Sequence, residues 1–415
     1  MSTTAEPTPP PVEPDPTAAA AQKESLPTSG RDFLNRIRTG DLGSLRVLFL
    51  LAIVWVIFQS QESRFLSSTN IVNLSLQITA VALISVGVVL VLLLGEIDLS
   101  VGAVSGLCSA IVAVLSVKHG WGPVPAILAG LAAGGAIGCF QGFISTRFGI
   151  PTFVVTLAGL LIWQGAQLKV LGDTGTVNLN PGLLTDLAGK FLSDSVSWVV
   201  AIAGVAFFAA VTLFGYRRRL ASGLSAPPMV LIVIRIAAVA IAGLLFTYVA
   251  NKDRGVPVAV LILLAFVASF DFMTRRTRFG RHIYAVGGNA EAARRAGIAV
   301  FRVRVIVFTL ASTMAAVGGI MAASRLLAVN QSSGGSDLLL NSIAGPVIAG
   351  TSLFGGRGNV WSALLGALVI GSISNGMDLL AYTSATKFMV TGAVLLGAVI
   401  LDSLARMGRA QSGRV

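Results

Sequence analysis

The chain has 415 residues, 54% of them apolar and only 12% charged, with 46 Gly and 15 Pro. A soluble domain carries about 25% charged residues. Half that share, together with repeated apolar runs of about 20 residues, describes a polytopic membrane protein and excludes a soluble enzyme, a disordered chain and a disulfide scaffold. The runs are continuous rather than alternating, which excludes a β-barrel.

Residues 1–43 read as a polar cytoplasmic tail. The first 30 hold seven of the fifteen prolines and no aromatic residue, so they cannot bury enough apolar surface to offset their ordering entropy. No charged start leads into a short apolar stretch, so this is not a secretory signal. Residues 44–405 form the transmembrane domain and 406–415 a second short tail. Within it, apolar segments fall near 46–60, 72–94, 99–117, 123–146, 151–171, 196–216, 229–250, 255–274, 303–323, 338–356, 360–380 and 386–404. Each can cross a core of about 30 Å as a helix. The expectation is an all-α bundle of about twelve spans (ten to twelve). The first segment is short and the tenth is Gly-rich.

Lys and Arg orient the bundle. With the N-terminus inside and alternating sides, the inside holds 21 positive residues. They include Arg147, Arg217, Arg218, Arg219, Arg357 and eight arginines between 275 and 304. The outside holds eight: Arg64, Lys118, Lys169, Lys190, Lys252, Arg254, Arg325 and Lys387. That asymmetry places both termini in the cytoplasm. It also accounts for most of the +12 net charge as topology rather than nucleic-acid binding. Arg235 alone falls inside a span, either pairing with an acid or snorkelling to an interface. Cys108 and Cys139 lie in apolar runs and read as small buried hydrophobes. His119 and His282 are isolated, so no metal site is expected. Gly130, Gly134, Gly138 and Gly142 repeat at the spacing of close helix packing.

The cytoplasmic loop 275–304 carries its own helix signals. Gly287-Gly288 ends the preceding stretch, Asn289 is an N-cap, and Glu291 and Arg294-Arg295 complement the dipole at opposite ends. Gly297 stands at C′. The predicted helix, Ala290–Ala296, is too short to persist alone. Ala292, Ala293 and Ala296 give it a smooth face for a partner's groove; an amphipathic connector on the membrane is the other reading.

Two stretches interrupt the spans. Gly95-Glu96-Ile97-Asp98-Leu99-Ser100-Val101-Gly102 places two carboxylates where each costs about 2.5–3.5 kcal/mol at a bilayer centre. Either the backbone breaks there against protein or water, or Asp98 caps an interfacial turn. The acids suggest proton coupling, but no basic partner is evident. The second stretch runs from Asn341 through Pro346 to Gly356, where proline and glycines predict a kinked or partly re-entrant helix. Between them, Thr152 and Thr156 share one helix face in Pro151-Thr152-Phe153-Val154-Val155-Thr156-Leu157-Ala158-Gly159. Thr152, Phe153 and Asn341 could meet a sugar, while Thr and Ser also serve as glue between membrane helices.

These residues resemble one family. Glu291-Ala292-Ala293 with Gly297 is similar to the EAA…G loop of ABC importer permeases. Phe279–Ile298 resembles the branch serving ribose, xylose, arabinose and galactose systems. Ile97-Asp98-Leu99-Ser100-Val101-Gly102 matches that branch's IDLSVG signature, and Glu96 and Arg254-Gly255-Val256-Pro257 look xylose-like. The stretch from Asn341 to Gly356 resembles DAIAA…GGTSLAGG, but Asn341 replaces the usual Asp and Leu339 the usual Glu. The resemblance covers residues 45–405.

It implies a membrane subunit of a sugar importer in the bacterial plasma membrane, paired with itself, with an extracytoplasmic sugar-binding protein and with a cytoplasmic ATPase that binds ATP and Mg. The chain itself binds no cofactor and is not an enzyme. Its only Gly-Lys pair, Gly189-Lys190, lacks the rest of a P-loop. The coupling residues so implied are Gly287, Gly288, Asn289, Glu291, Ala292, Ala293 and Gly297. Candidate path residues are Glu96, Asp98, Ser100, Thr152, Phe153, Thr156, Asn341, Thr351 and Ser352. Permeases for another monosaccharide or polyol, a nucleoside or a branched-chain amino acid remain open, as does a proton-coupled carrier using Glu96 and Asp98.

Overall fold

The computed structural model describes residues 44–223 and 226–411; the tail expected at 1–43 lies outside the described residues. The described residues form fifteen helices and one two-stranded antiparallel pair. In order these are α1 (Ser44–Gln61), α2 (Ser68–Leu93), α3 (Val101–Val117), α4 (Pro123–Phe148), α5 (Thr152–Leu171), β1 (Thr176–Asn178), α6 (Leu183–Gly189), α7 (Asp194–Ala221) and α8 (Met229–Asn251). Then follow α9 (Val258–Arg276), α10 (Arg278–Gly288), α11 (Ala290–Arg295), α12 (Val300–Leu326), β2 (Ala328–Asn330), α13 (Ser336–Ile348), α14 (Trp361–Leu379) and α15 (Ser384–Gln411).

Each of the twelve apolar segments falls on one of these helices. Among the described residues, eight helices are long and apolar enough to cross a membrane: α2, α4, α5, α7, α8, α9, α12 and α14. The other four apolar stretches are shorter, with α3 at 17 residues and α13 at 13. The segment near 338–356 is therefore only partly helical. Pro346 removes a backbone donor two residues before α13 ends, and a loop carries the chain to α14.

Two compact units are present. One comprises the described residues between Trp198 and Thr247, on α7 and α8. Its large apolar side chains, Phe207, Phe214 and Ile241 among them, are exposed, as suits helices bathed in lipid. Arg235 is exposed here and forms no ion pair among the described residues.

The second unit holds the remaining helices. At its centre is α2, apolar on every side and accordingly buried on every side. Leu83, Val86, Leu90 and Leu93 lie in one cluster with Leu263 of α9, Ile283 of α10 and Val307, Phe308 and Ala311 of α12. The glycine repeat of α4 faces the same helix: a methyl on Gly134 would lie 2.8 Å from the Ser312 carbonyl oxygen. Only that stripe of α4 is buried. Cys139, on its other side beside Phe140, is exposed, whereas Cys108 of α3 is buried. The expectation of two buried cysteines thus holds for Cys108 alone, because apolar surface facing lipid is not hidden surface.

Polar contacts tie the helix ends. At one end, Thr69 donates to Asp253 at 3.0 Å and Arg254 to Asn73 at 2.6 Å, and Lys118 donates to the Leu171 carbonyl at 2.9 Å. The β pair, with Val177 opposite Val329, sits beside Gln167, which donates to the carbonyls of Asn330 and Ser333, both at 2.9 Å. In the turn after α1, the Arg64 guanidinium holds the exposed Glu62 carboxyl at about 2, so this turn stays an ion pair throughout the working pH range.

Candidate functional site

The loop between α9 and α12 folds into two short helices. Thr277 caps α10 by accepting from the Gly280 amide at 3.1 Å. Asn289 caps α11 by accepting from the Ala292 amide at 2.9 Å. Gly297 then adopts φ +82°, a left-handed conformation that costs a side chain and suits glycine. Glu291 pairs with Arg294 at 3.3 Å and Arg295 at 3.2 Å, all three well exposed. Such exposed pairs contribute little to stability.

The smooth face needs one correction. Ala292 and Ala296 are exposed, one turn apart, but Ala293 is buried. It joins the core beside Ala290 and Ile298 and anchors α11 to the body. The exposed surface of α11 and the residue after it is therefore Glu291, Ala292, Arg294, Arg295 and Ala296.

Below α11, backbones meet without side chains between them. The Gly356 amide donates to the Leu93 carbonyl at 2.9 Å. A methyl on Gly355 would lie 2.6 Å from the Gly287 oxygen and 2.7 Å from the Gly95 nitrogen. A methyl on Gly287 would collide with the Leu93 oxygen. Tyr284 of α10 adds a bond from its hydroxyl to the Gly358 carbonyl at 2.9 Å; burial pushes this phenol up, which keeps it a donor. The non-helical linkers at 94–100 and 349–360, which fall at the two interrupted stretches read from the sequence, thus converge on the end of α10.

The first break is held from several directions. Glu96, buried, lies 2.7 Å from Arg304 at the start of α12. The Arg304 Nε–H is not aimed at the carboxylate, so this is an ion pair rather than an aligned hydrogen bond. Asp98, also buried, accepts from the Ser100 amide at 2.7 Å and the Ser100 hydroxyl at 2.6 Å. Both acids keep one carboxylate oxygen unpartnered among the described residues. Thr156 accepts from the Leu99 amide at 3.1 Å and donates back to Thr152 O at 3.0 Å, so its hydroxyl is used on backbone. The Gln141 amide lies 3.1 Å from the same Ser100 hydroxyl, whose single proton goes to Asp98 at the shorter distance.

The proposed path residues do not form one group. Glu96, Asp98, Ser100 and Thr156 come together at the break, with Thr152 one turn before Thr156. Phe153 is half exposed on the outer side of α5. Thr351 and Ser352 lie in the second break, where Thr351 shares a 2.6 Å bond with Ser362 and Ser352 donates its amide to Arg357 O at 3.0 Å. Asn341 is elsewhere, on α13 facing α2 and α14, in a cavity of about 60 Å³. Arg304 and Gln141 had no local signal: each lies tens of residues or more from its partner, and the reading of Glu96 as lacking a basic partner is corrected by Arg304.

Comparison with known proteins fits this arrangement. A family model described as the branched-chain amino acid transport system / permease component matches residues 70–399. The chain is 37% identical over 355 residues to the xylose transport system permease protein XylH of Escherichia coli (strain K12), covering 85% of this chain and 90% of that one. It is 34% identical to XylH of Haemophilus influenzae over 372 residues, covering 89% and 98%. Against the ribose import permease protein RbsC of Bacillus subtilis it is 34% identical over 362 residues, covering 87% and 92%. No solved structure matches significantly. A match across most of the chain, and relatives above 30% identity across nearly all of theirs, establish that the chain belongs to the ABC importer permease family, as a multi-pass membrane protein and a non-catalytic transport component.

Proposed function

We propose that the chain is the membrane-spanning subunit of an ATP-driven importer for a pentose sugar of the xylose type. Its partners are a cytoplasmic ATPase, which carries ATP and Mg, and an extracytoplasmic sugar-binding protein, and two copies enclose the path. The observation that carries the coupling is the backbone joint. An exposed, capped α11 stands directly on α10, whose Gly287 touches both membrane breaks. A displacement of α11 by closing ATPases reaches the breaks with no flexible side chain in between. The identity to XylH over most of the chain supports the sugar class.

The proposed topology has twelve traverses with both termini on the ATPase side, the tails at 1–43 and 406–415, and the coupling loop at 275–304. In this scheme α3 and α13 each cross with the help of the adjoining break. The grouping of helix ends supports it. The start of α2 meets Asp253 and Arg254, whereas its end meets Gly287 and the Gly355–Gly356 turn.

The test is a pull-down of tagged protein from native membranes in mild detergent, with Glu291→Ala as control. A P-loop ATPase in equal amount, lost in the variant, is expected. Because Glu291 contacts only two exposed arginines, the variant folds normally. Recovery of no ATPase, together with uptake that an uncoupler abolishes at constant ATP, would replace the proposal with a proton-driven carrier using Glu96 and Asp98.

A further inference from the structure

Midway along α2, a small cavity opens between α2, α13 and α14. Gln77, Asn341 and Ser374 line it, with Ile78, Val81, Ala367, Ile370 and Gly371. Its walls therefore combine two amides and a hydroxyl with aliphatic carbon, and no charged residue lines it. The close approach of α14 to α2 sets its floor, since a methyl on Gly371 would strike Ile78.

The polar groups lining this cavity lack firm partners within the bundle. Asn341 and Ser374 make no side-chain hydrogen bond among the described residues, and neither does the Gln77 amide nitrogen. Gln77 Oε1 accepts only a long 3.5 Å bond from Asn375. Asn375 in turn is committed to Asn70, with mutual bonds of 2.7 and 3.0 Å. Several span hydroxyls are instead turned back on their own helices, as at Thr79, Thr309 and Thr313. All three side chains are half-buried, and a polar group withdrawn from water without a partner is unfavourable, so two amides and a hydroxyl turned to one cavity mark a surface that something polar visits.

We infer that this groove is a substrate-contacting wall of the translocation path, and that Gln77, Asn341 and Ser374 recognise a neutral polyhydroxylated solute. The inference rests on the import reading and deepens it. Amides and a hydroxyl offer both donors and acceptors to ring hydroxyls, while Ile78, Val81 and Ala367 face the C–H surface of a sugar. Nothing in the groove would neutralise the ammonium or carboxylate of an amino acid. The cavity holds about two waters, each occupying about 30 Å³. It is thus one wall along which a sugar slides, not a pocket that retains it, as suits a path that must release its cargo. Gln77 lies about 14 Å along α2 from its start at 1.5 Å per residue, near the middle of a core of about 30 Å.

The test uses the complete importer, with ATPase and binding protein, in proteoliposomes. Uptake of labelled xylose is measured for wild type, Gln77→Met, Asn341→Leu and Ser374→Ala, beside the thermal midpoint and the ATPase activity evoked by loaded binding protein. Losing one neutral hydrogen bond to the passing solute is worth up to about tenfold in rate. The expected result is maximal xylose uptake reduced about tenfold in Gln77→Met and Asn341→Leu and less in Ser374→Ala. The thermal midpoint should be unchanged or raised, because an unpartnered polar group has been removed, and evoked ATPase activity should persist. Wild-type uptake in all three variants overturns the inference and leaves the importer intact. A fall in uptake that tracks a fall in thermal midpoint also overturns it, making the groove a packing or subunit contact. Failure of the wild-type complex to import xylose with ATP refutes the import reading itself.

Discussion

Glu96 and Arg304 are more than 200 residues apart in sequence and 2.7 Å apart in space. Their pair joins the first break to the start of α12. The Arg304 side chain is 30% exposed, so solvent screening brings the pair's worth below the about 3–5 kcal/mol lost when a fully buried pair is broken. Glu96→Arg sets two cations side by side and should abolish uptake and lower the thermal midpoint. The double reversal, Glu96→Arg with Arg304→Glu, should recover much of the midpoint, with a coupling energy on the order of 2 kcal/mol. A double variant no better than the single one would refute the pairing. Thr156 invites a second test. Its hydroxyl satisfies the Leu99 amide in the break just ahead of α3. Thr156→Val should therefore cost about 1–2 kcal/mol of stability, and Thr156→Ser should restore it in a thermal melt.

Capping explains why α11 could be read from sequence while its orientation could not. Asn289, Glu291 and Gly297 act within one or two turns, so local chemistry fixes the start and end of that helix. Which alanine turns inward depends on α12 and the core, and there Ala293 defied the smooth-face reading. The same division runs through the breaks. Gly95, Pro346 and Gly355 announce interruptions, but the meeting of Gly95 and Gly355 at Gly287 is tertiary. Gln77 carried no signal in an apolar run, since a lone amide there reads as glue until its cavity is seen. Gly297→Pro tests the element directly. Proline holds φ near −65° against the +82° found here. It should unseat α11 and abolish ATP-driven uptake, while membrane insertion and the amount of protein are unchanged. Normal uptake by this variant would dismiss the coupling role of α11.

At the scale of the molecule, the described helices differ in how much of their apolar surface is buried, rather than following a simple rule of polar outside and apolar inside. Helix α2 is enclosed, α4 and α5 bury one stripe, and α7 and α8 expose their large apolar side chains. Hydropathy registers all of them alike, which is why the all-helical class and the membrane could be read from composition but the central position of α2 could not. The Lys and Arg asymmetry predicts the sidedness. In a chain with Cys108 and Cys139 replaced by Ala, Ser63→Cys should react with an impermeant maleimide on intact cells, and Ala292→Cys only after permeabilisation. Labelling of both from outside would overturn the topology.

The joint of Gly95, Gly287 and Gly355 has a consequence for how such a subunit changes over time. Its contacts are backbone on backbone, so the interior end of the linkage is indifferent to which residues occupy the tip of α11. On the coupling proposed above, the exposed positions Glu291, Ala292, Arg294, Arg295 and Ala296 could be rewritten to suit a different motor without redesigning what lies beneath. Such an arrangement would be modular: a fixed socket with an interchangeable key, in which the choice of energy source and the route through the membrane vary independently.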